Sequence, residues 1–214
     1  MKIKLRSFFW KLSDYLSSSH QSPMNIVASR DGRLYEVRET DFMRIAVSKT
    51  EVTELEDVQE GVTLKLPKIP GSYLATAVAF FRYYCEKEVE ALVYIYWNRS
   101  TCSYELVCPE QNVNIIEVVS FIEPVYNPDR DIVMVIHSHH HMDAFFSPVD
   151  NRNDQAFRVY GVIGRLDLPY GMHVKFRAGY NGQHFEMDVK DLFEFNGVNS
   201  TTMFPEEWKE RVHL

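Results

Sequence analysis

HSHHHMDAFFSPVD, residues 137–150, follows directly on the apolar run Ile132–Ile136. The run has the length and composition of a buried strand, which places the histidines at a strand end where backbone pairing holds them rigidly. In a strand, residues i and i+2 share a face, so His137 and His139 project together and Ser138 points away. Two imidazoles on one face make a natural pair of metal ligands, and Asp150 returns from a helix start to add a carboxylate oxygen. Three protein ligands leave a fourth position open, the arrangement of catalytic rather than structural zinc, and zinc in such a site lowers the pKa of water to about 7. The full spacing, H-x-H-x7-S-x2-D, is far more specific than an isolated H-x-H.

Other readings of the stretch compete. His140 and His141 lengthen the tract, so it also fits an opportunistic metal-binding patch. Ser147-Pro-Val-Asp150 reads as a helix cap, with serine at the N-cap, proline at the first helical position and a carboxylate at the third. The cap and the metal reading are compatible, since a cap fixes the orientation of Asp150. Asp143 and Asp154 are alternative carboxylates. A metallo-β-lactamase pattern needs H-x-H-x-D-H, but His141 and Met142 stand at its last two positions. An amidohydrolase barrel needs a longer chain with its H-x-H near the N-terminus. A cupin-like site would recruit His173 or His184.

Working outward, LPKIPG (residues 66–71) punctuates the chain and marks a boundary near residue 70. Before it, an opening surface helix is expected over MKIKLRSFFWKLSDYL. Asn25–Ser29 and Leu34–Glu39 flank Asp31-Gly32 as a hairpin, and Phe42–Ser48 reads as a further strand. After the boundary, Leu74, Val78, Phe81 and Cys85 recur at helical spacing within Ser72–Lys87. Strands follow at Ala91–Trp97, Tyr104–Cys108, Val118–Ile122 and Ile132–His139. A helix is expected from Ser147-Pro148 to about Phe157, then strands at Val159–Gly164, Met172–Ala178 and His184–Met187. A short C-terminal helix is expected to have Pro205 at its first position. This order predicts an α/β (α+β) fold with a mixed central β-sheet flanked by helices, divided as a small β-rich N-terminal section (1–70), a core (71–195) and a C-terminal tail with a short helix (196–214).

Composition narrows the classes. The chain has 214 residues, 45% hydrophobic and 25% charged, with 12 Tyr and 14 Phe, enough to build a sizeable core. A net charge of −7 and no long basic run speak against nucleic-acid binding. The three cysteines, Cys85, Cys102 and Cys108, form no disulfide framework and are expected to be reduced, semi-buried small side chains. No apolar run is long enough to span a membrane, and Lys11 and Asp14 interrupt the N-terminal apolar stretch, so no signal peptide is expected and a cytoplasmic location is the expectation.

HSHHHMDAFFSPVD resembles the signature of the JAMM metalloproteases (MPN-plus, Mov34 or JAB). LPKIPGSYLATAVAFFRYY, AFFSPVD and VYGVIG look like its bacterial branch, the prokaryotic JAB proteins similar to PRTRC system protein A. The likeness spans about residues 72–190 and implies a JAB/MPN-like, cytidine-deaminase-like core. Such proteins carry a glutamate where a helix gives way to the first core strand, and CEKEVEALVYIYW lies there. Glu90, 47 residues before His137, is the preferred match; Glu88, of the same strand parity, is the runner-up, with Ala91 then standing where a glycine is usual. The usual glycines after the glutamate are absent. The resemblance implies Zn2+ held by His137, His139 and Asp150, Glu90 as general base, and Ser147 donating to an oxyanion. The implied activity is a zinc-dependent isopeptidase or peptidase, deubiquitinase-like, cutting amide bonds at the C-terminus of a ubiquitin-like modifier. Implied partners are that modifier, its conjugates, and activating and conjugating enzymes of the same operon, with no nucleic acid and no membrane. A non-catalytic scaffold of the same fold is the alternative. His140 and His141 are expected to line the site mouth, to support the ligands from behind or to lie at the surface, and Phe145 and Phe146 are expected to pack the loop against the core or to contact substrate.

Overall fold

The computed structural model describes residues 6–19, 22–115, 118–120, 127–196 and 203–214. The chain divides into two compact units, residues 1–60 and 61–214.

In the first unit, β1 (Arg6–Phe9), α1 (Leu12–Ser17), β2 (Met24–Ala28), β3 (Leu34–Glu39) and β4 (Arg44–Lys49) build a four-stranded sheet in the order β1-β2-β3-β4. β1 runs parallel to β2, and the remaining pairs are antiparallel. The Asp31-Gly32 hairpin forms as read, with Gly32 at φ +79°, a conformation that glycine adopts without steric cost. The expected N-terminal helix is corrected: Arg6–Phe9 is a strand, and helix begins only at Leu12, while residues 1–5 lie outside the described residues. Pairing with β2 satisfies the backbone of this aromatic segment, whereas a six-residue helix has little stability of its own and is anchored by the fully buried Tyr15 against Val27 and Val37.

The second unit contains β5 (Ile69–Pro70), α2 (Gly71–Cys85), β6 (Leu92–Asn98), β7 (Ser103–Val107), β8 (Gln111–Val113), β9 (Val118–Ser120), β10 (Arg130–Ser138), α3 (Pro148–Asn153), β11 (Arg158–Gly164), β12 (His173–Tyr180), β13 (Gln183–Met187), α4 (Val189–Leu192), β14 (Phe193–Glu194), a 3-10 helix (Glu206–Arg211) and β15 (Val212–His213). Six strands form the central sheet in the order β13-β12-β11-β10-β6-β7, antiparallel except for the parallel pair β10–β11. This is a mixed α+β fold with a central mixed sheet flanked by helices, as the order of elements implied.

The core lies between α2 and this sheet. Leu74, Ala77, Phe80, Phe81, Tyr84 and Cys85 of the helix meet Val93, Ile95, Met134, Ile136 and Ile163 of the strands in one buried cluster. Each large apolar side chain buried there contributes about 1.5–3 kcal/mol. The C-terminal section joins the same cluster: Trp208 packs edge-on to Phe80 at 5.2 Å, and β15 pairs with β8. Its helix is of the 3-10 type, and Pro205 stands at the N-cap rather than at the first helical position. The strand expected over Val118–Ile122 is described only to Ser120; its last two residues lie outside the described residues. Among the described residues, no helix is long and apolar enough to cross a membrane.

Candidate metal centre

The centre forms where β10 ends. His137 is within the strand and pairs in register with Leu92 of β6 and Val162 of β11. The ladder continues past the assigned end: the Ser138 N–H donates to the Ala91 carbonyl at 2.9 Å, and the His139 N–H donates to the Ile163 carbonyl at 2.8 Å. His139 therefore keeps strand parity with His137. Ser138, facing the other way, is fully buried, and its hydroxyl accepts the Ala91 N–H at 2.8 Å. The chain then turns sharply at His140, whose φ of +26° is rare for a non-glycine residue.

The turn is seated on Gly164. A Cβ there would lie 2.2 Å from the Met142 carbonyl oxygen and 2.7 Å from the Ala144 nitrogen. Only glycine lets the loop after His139 lie so close to β11. That approach also brings the Asp143 carbonyl to 3.3 Å from His139 Nδ1. Donation from Nδ1–H to this carbonyl leaves the Nε2 lone pair of His139 facing the site.

His137 Nε2 lies 3.3 Å from His139 Nε2 and 3.6 Å from Asp150 Oδ1. The donor atoms of His137, His139 and Asp150 all fall within 4.8 Å of one another. Ligands bound at about 2.0–2.1 Å in a tetrahedron are separated by about 3.3 Å, so the two nitrogens already span one tetrahedral edge. The donor set and its spacing fit a zinc-sized ion.

Asp150 serves two structures at once. Its Oδ2 accepts the Ser147 N–H at 2.6 Å, and its own N–H donates to Ser147 Oγ at 3.1 Å, closing the capping box of α3. The other oxygen, Oδ1, faces His137. Ser147 Oγ accepts in the cap, which leaves its hydroxyl hydrogen available to a ligand. The cap and metal readings of SPVD thus hold together, one oxygen for each. Helix α3 is shorter than expected and ends at Asn153, with Asp154 turning out of helical geometry at φ −80°, ψ 58°.

Glu90 and Glu88, open alternatives in the sequence, part ways in the structure. Glu88 is exposed and adopts φ +56° in the turn after α2, so strand parity does not reach it. Glu90 is only 4% exposed; its N–H donates to the Asn114 carbonyl, and its Oε1 lies 3.8 Å from His139 Nε2. A buried carboxylate therefore stands beside the ligating nitrogen without belonging to the three-donor set.

Electrostatics favour neutral imidazoles. Burial pushes the pKa of His137 down to about 4, with the Asp150 carboxylate opposing the shift. Burial likewise lowers His139, against the Asp143 carbonyl and the Asp150 charge. Neutral imidazole is the form that binds metal. The folded metal-free protein then binds fewer protons at His137 than the unfolded chain between about pH 4 and 6.5. The stability tied to this group is complete above pH 6.5 and declines as pH falls towards 4. Urea unfolding of metal-free protein at pH 7.5 and pH 5 should show this loss, on the order of 1–2 kcal/mol, and a His137→Gln variant should lose correspondingly less. Equal losses in both proteins would refute the assignment.

Expectation and structure agree for some neighbours and part for others. His140 is 7% exposed, which excludes the surface among its expected places, and its Nε2 lies 2.9 Å from the Ile115 carbonyl. His141 is exposed, 3.7 Å from Cys85 Sγ and from an Asp167 oxygen. Phe145 is exposed, and its ring meets His139 edge-on at 4.6 Å. Asp143 pairs with Arg165 and His173, and the His184 ring reaches the Asp154 carbonyl. Neither His173 nor His184 joins the cluster among the described residues, which removes the support for a cupin-like site. Cys85 and Cys108 are buried, and burial raises their thiols to about 11 and about 12; Cys102, expected to be semi-buried, is exposed in a turn at φ +49°. Arg177, buried beneath α3, was not anticipated; a lone arginine in the strand sequence HVKFRAGY offers no local signal of where its guanidinium goes.

The chain thus carries a preorganised His-His-Asp cluster consistent with a metal-binding site. No protein-family model matches the chain, and no curated protein matches it.

Proposed function

We propose that this chain is a zinc-dependent amide hydrolase of the JAMM type, a peptidase or isopeptidase acting at the C-terminus of a ubiquitin-like modifier, in maturation or deconjugation. The observation that carries the reading is the buried Glu90 carboxylate, 3.8 Å from His139 Nε2, beside a set of three candidate donors that leaves a fourth ligand position unassigned. A structural metal site has no use for such a carboxylate, whereas a general base must stand within reach of the water whose proton it takes.

His137, His139 and Asp150 would hold the zinc, which supplies a Lewis acid that polarises the scissile carbonyl and lowers the pKa of water to about 7. Glu90 accepts the proton of the attacking water and returns it to the departing amine nitrogen, the two halves of general base and general acid work. Ser147 donates its hydroxyl hydrogen to the oxygen that becomes negative as the carbonyl carbon turns tetrahedral. Its orientation for that task comes from the cap, because Oγ is already fixed by the Asp150 N–H. The partners we propose are the modifier, its conjugates and the enzymes that activate and conjugate it, in the cytoplasm. A non-catalytic scaffold would have no need to bury Glu90 beside an intact donor set.

The test is cleavage by the full chain, supplied with zinc, of a ubiquitin-like protein joined through its C-terminal carboxylate to a reporter amine. Release of the free modifier is expected. Zinc-loaded protein that cuts neither linear nor isopeptide-linked ubiquitin-like substrates would overturn the reading in favour of the scaffold.

A further inference from the structure

Helix α3 carries Asp150 yet contributes no buried side chain to the core. It is six residues long, and none of them is buried. A helix this short is unstable by itself, and its capping box ties its first turn only to itself. The His184 ring of β13 reaches the Asp154 carbonyl just past the helix, at 3.2 Å, but the tie that spans the helix itself comes from Arg177 of β12. Its side chain is 6% exposed; Nη1 donates to Asn151 Oδ1 at 2.6 Å, and Nη2 donates to Asp154 Oδ2 at 2.7 Å. Its guanidinium plane lies over the Phe146 ring, 3.7 Å from the centroid. One planar group therefore grips the residue before Ser147 and two residues after Asp150.

We infer that Arg177 is a positioning residue, a buried fork that fixes α3 on the sheet and so holds Asp150 Oδ1 at its place opposite His137. This rests on the metal-centre reading proposed above. Arginine suits the task because its five donors lie in one plane, so two can be spent on separate acceptors while the face stacks on an aromatic ring. Lysine keeps the charge but offers neither the fork nor the plane. Groups that hydrogen-bond a ligand directly commonly change metal affinity about 10- to 100-fold; Arg177 bonds Asn151 and Asp154 rather than Asp150, so its effect is expected at the lower end of that range.

The experiment compares full-length wild type with Arg177→Ala and Arg177→Lys by zinc titration and by amide hydrogen exchange of the metal-free proteins. Both variants are expected to bind zinc about 10-fold more weakly. In both, the Asp150, Asn151 and Asp154 amides, which bond to Ser147 Oγ, Ser147 O and Asp150 O, should lose protection while the β10–β11 ladder keeps its own. Unchanged zinc affinity with unchanged exchange overturns the inference. So does an equal loss of protection throughout the unit, which would mark a general structural role. Arg177→Lys behaving as wild type would overturn the fork in favour of simple charge. Should wild type itself take up no zinc, the metal reading fails, and the exchange pattern still decides whether Arg177 holds the helix.

Discussion

Replacement of Glu90 by glutamine is expected to reduce amide hydrolysis by about 10²–10⁴-fold, some 3–5 kcal/mol of transition-state stabilisation, with zinc still bound. Glutamine has the shape of glutamate, so the packing of a side chain only 6% exposed is preserved. What is lost is the lone pair that accepts a proton and the acid that returns it. The donor set of His137, His139 and Asp150 is untouched, so zinc stoichiometry and affinity should match wild type. Glu88→Ala is the matched control: an exposed residue in a turn at φ +56° should give near-normal turnover. Turnover by Glu90→Gln at the wild-type rate would remove Glu90 from the mechanism, and loss in Glu88→Ala alone would reverse the assignment of the two.

The second large effect is expected from His139→Ala. Purified, untagged wild type should hold about one zinc per chain and the variant essentially none. Removing His139 deletes one end of the 3.3 Å nitrogen–nitrogen edge and leaves two donors, too few for tight binding against water. Metal analysis by mass spectrometry measures it directly. The variant should fold, since the β10 ladder around it is made by backbone groups that alanine retains: the N–H to the Ile163 carbonyl and the flanking Ser138–Ala91 pair. Thermal unfolding of the two metal-free proteins should therefore differ little, whereas added zinc should raise the midpoint of wild type alone. A folded variant that still binds one zinc would place the metal elsewhere.

The two predictions draw on features that were unequally legible. The histidine pair and the capped aspartate were readable because both depend on local geometry: strand parity over three residues, and a capping box over four. The helix α2, the hairpin at Asp31-Gly32 and most strands of the central sheet were readable for the same reason, period and turn chemistry being properties of short windows. Failures fall where neighbours in space decide. Arg6–Phe9 became a strand because β2 was available to pair with it. The helix after Ser147 stopped at Asn153, where Asp154 leaves helical geometry and gives its carboxylate to Arg177.

By itself, then, the sequence determined the donor residues, their shared face and the cap that orients the third of them. Each of these is written within fourteen consecutive residues, His137 to Asp150. The placing of Glu90 beside His139 and of Glu88 in an exposed turn, the burial of His140, the need for glycine at residue 164 and the grip of Arg177 on α3 were decided only by tertiary structure. Each depends on a contact between segments distant along the chain: residue 90 against residues 114 and 139, residue 140 against residue 115, residue 164 against residues 142–144, and residue 177 against residues 146–154. Periodicity carries no information about such pairings, because they arise when whole elements bury their apolar faces together and the polar groups beneath must then find partners in whatever segment arrives.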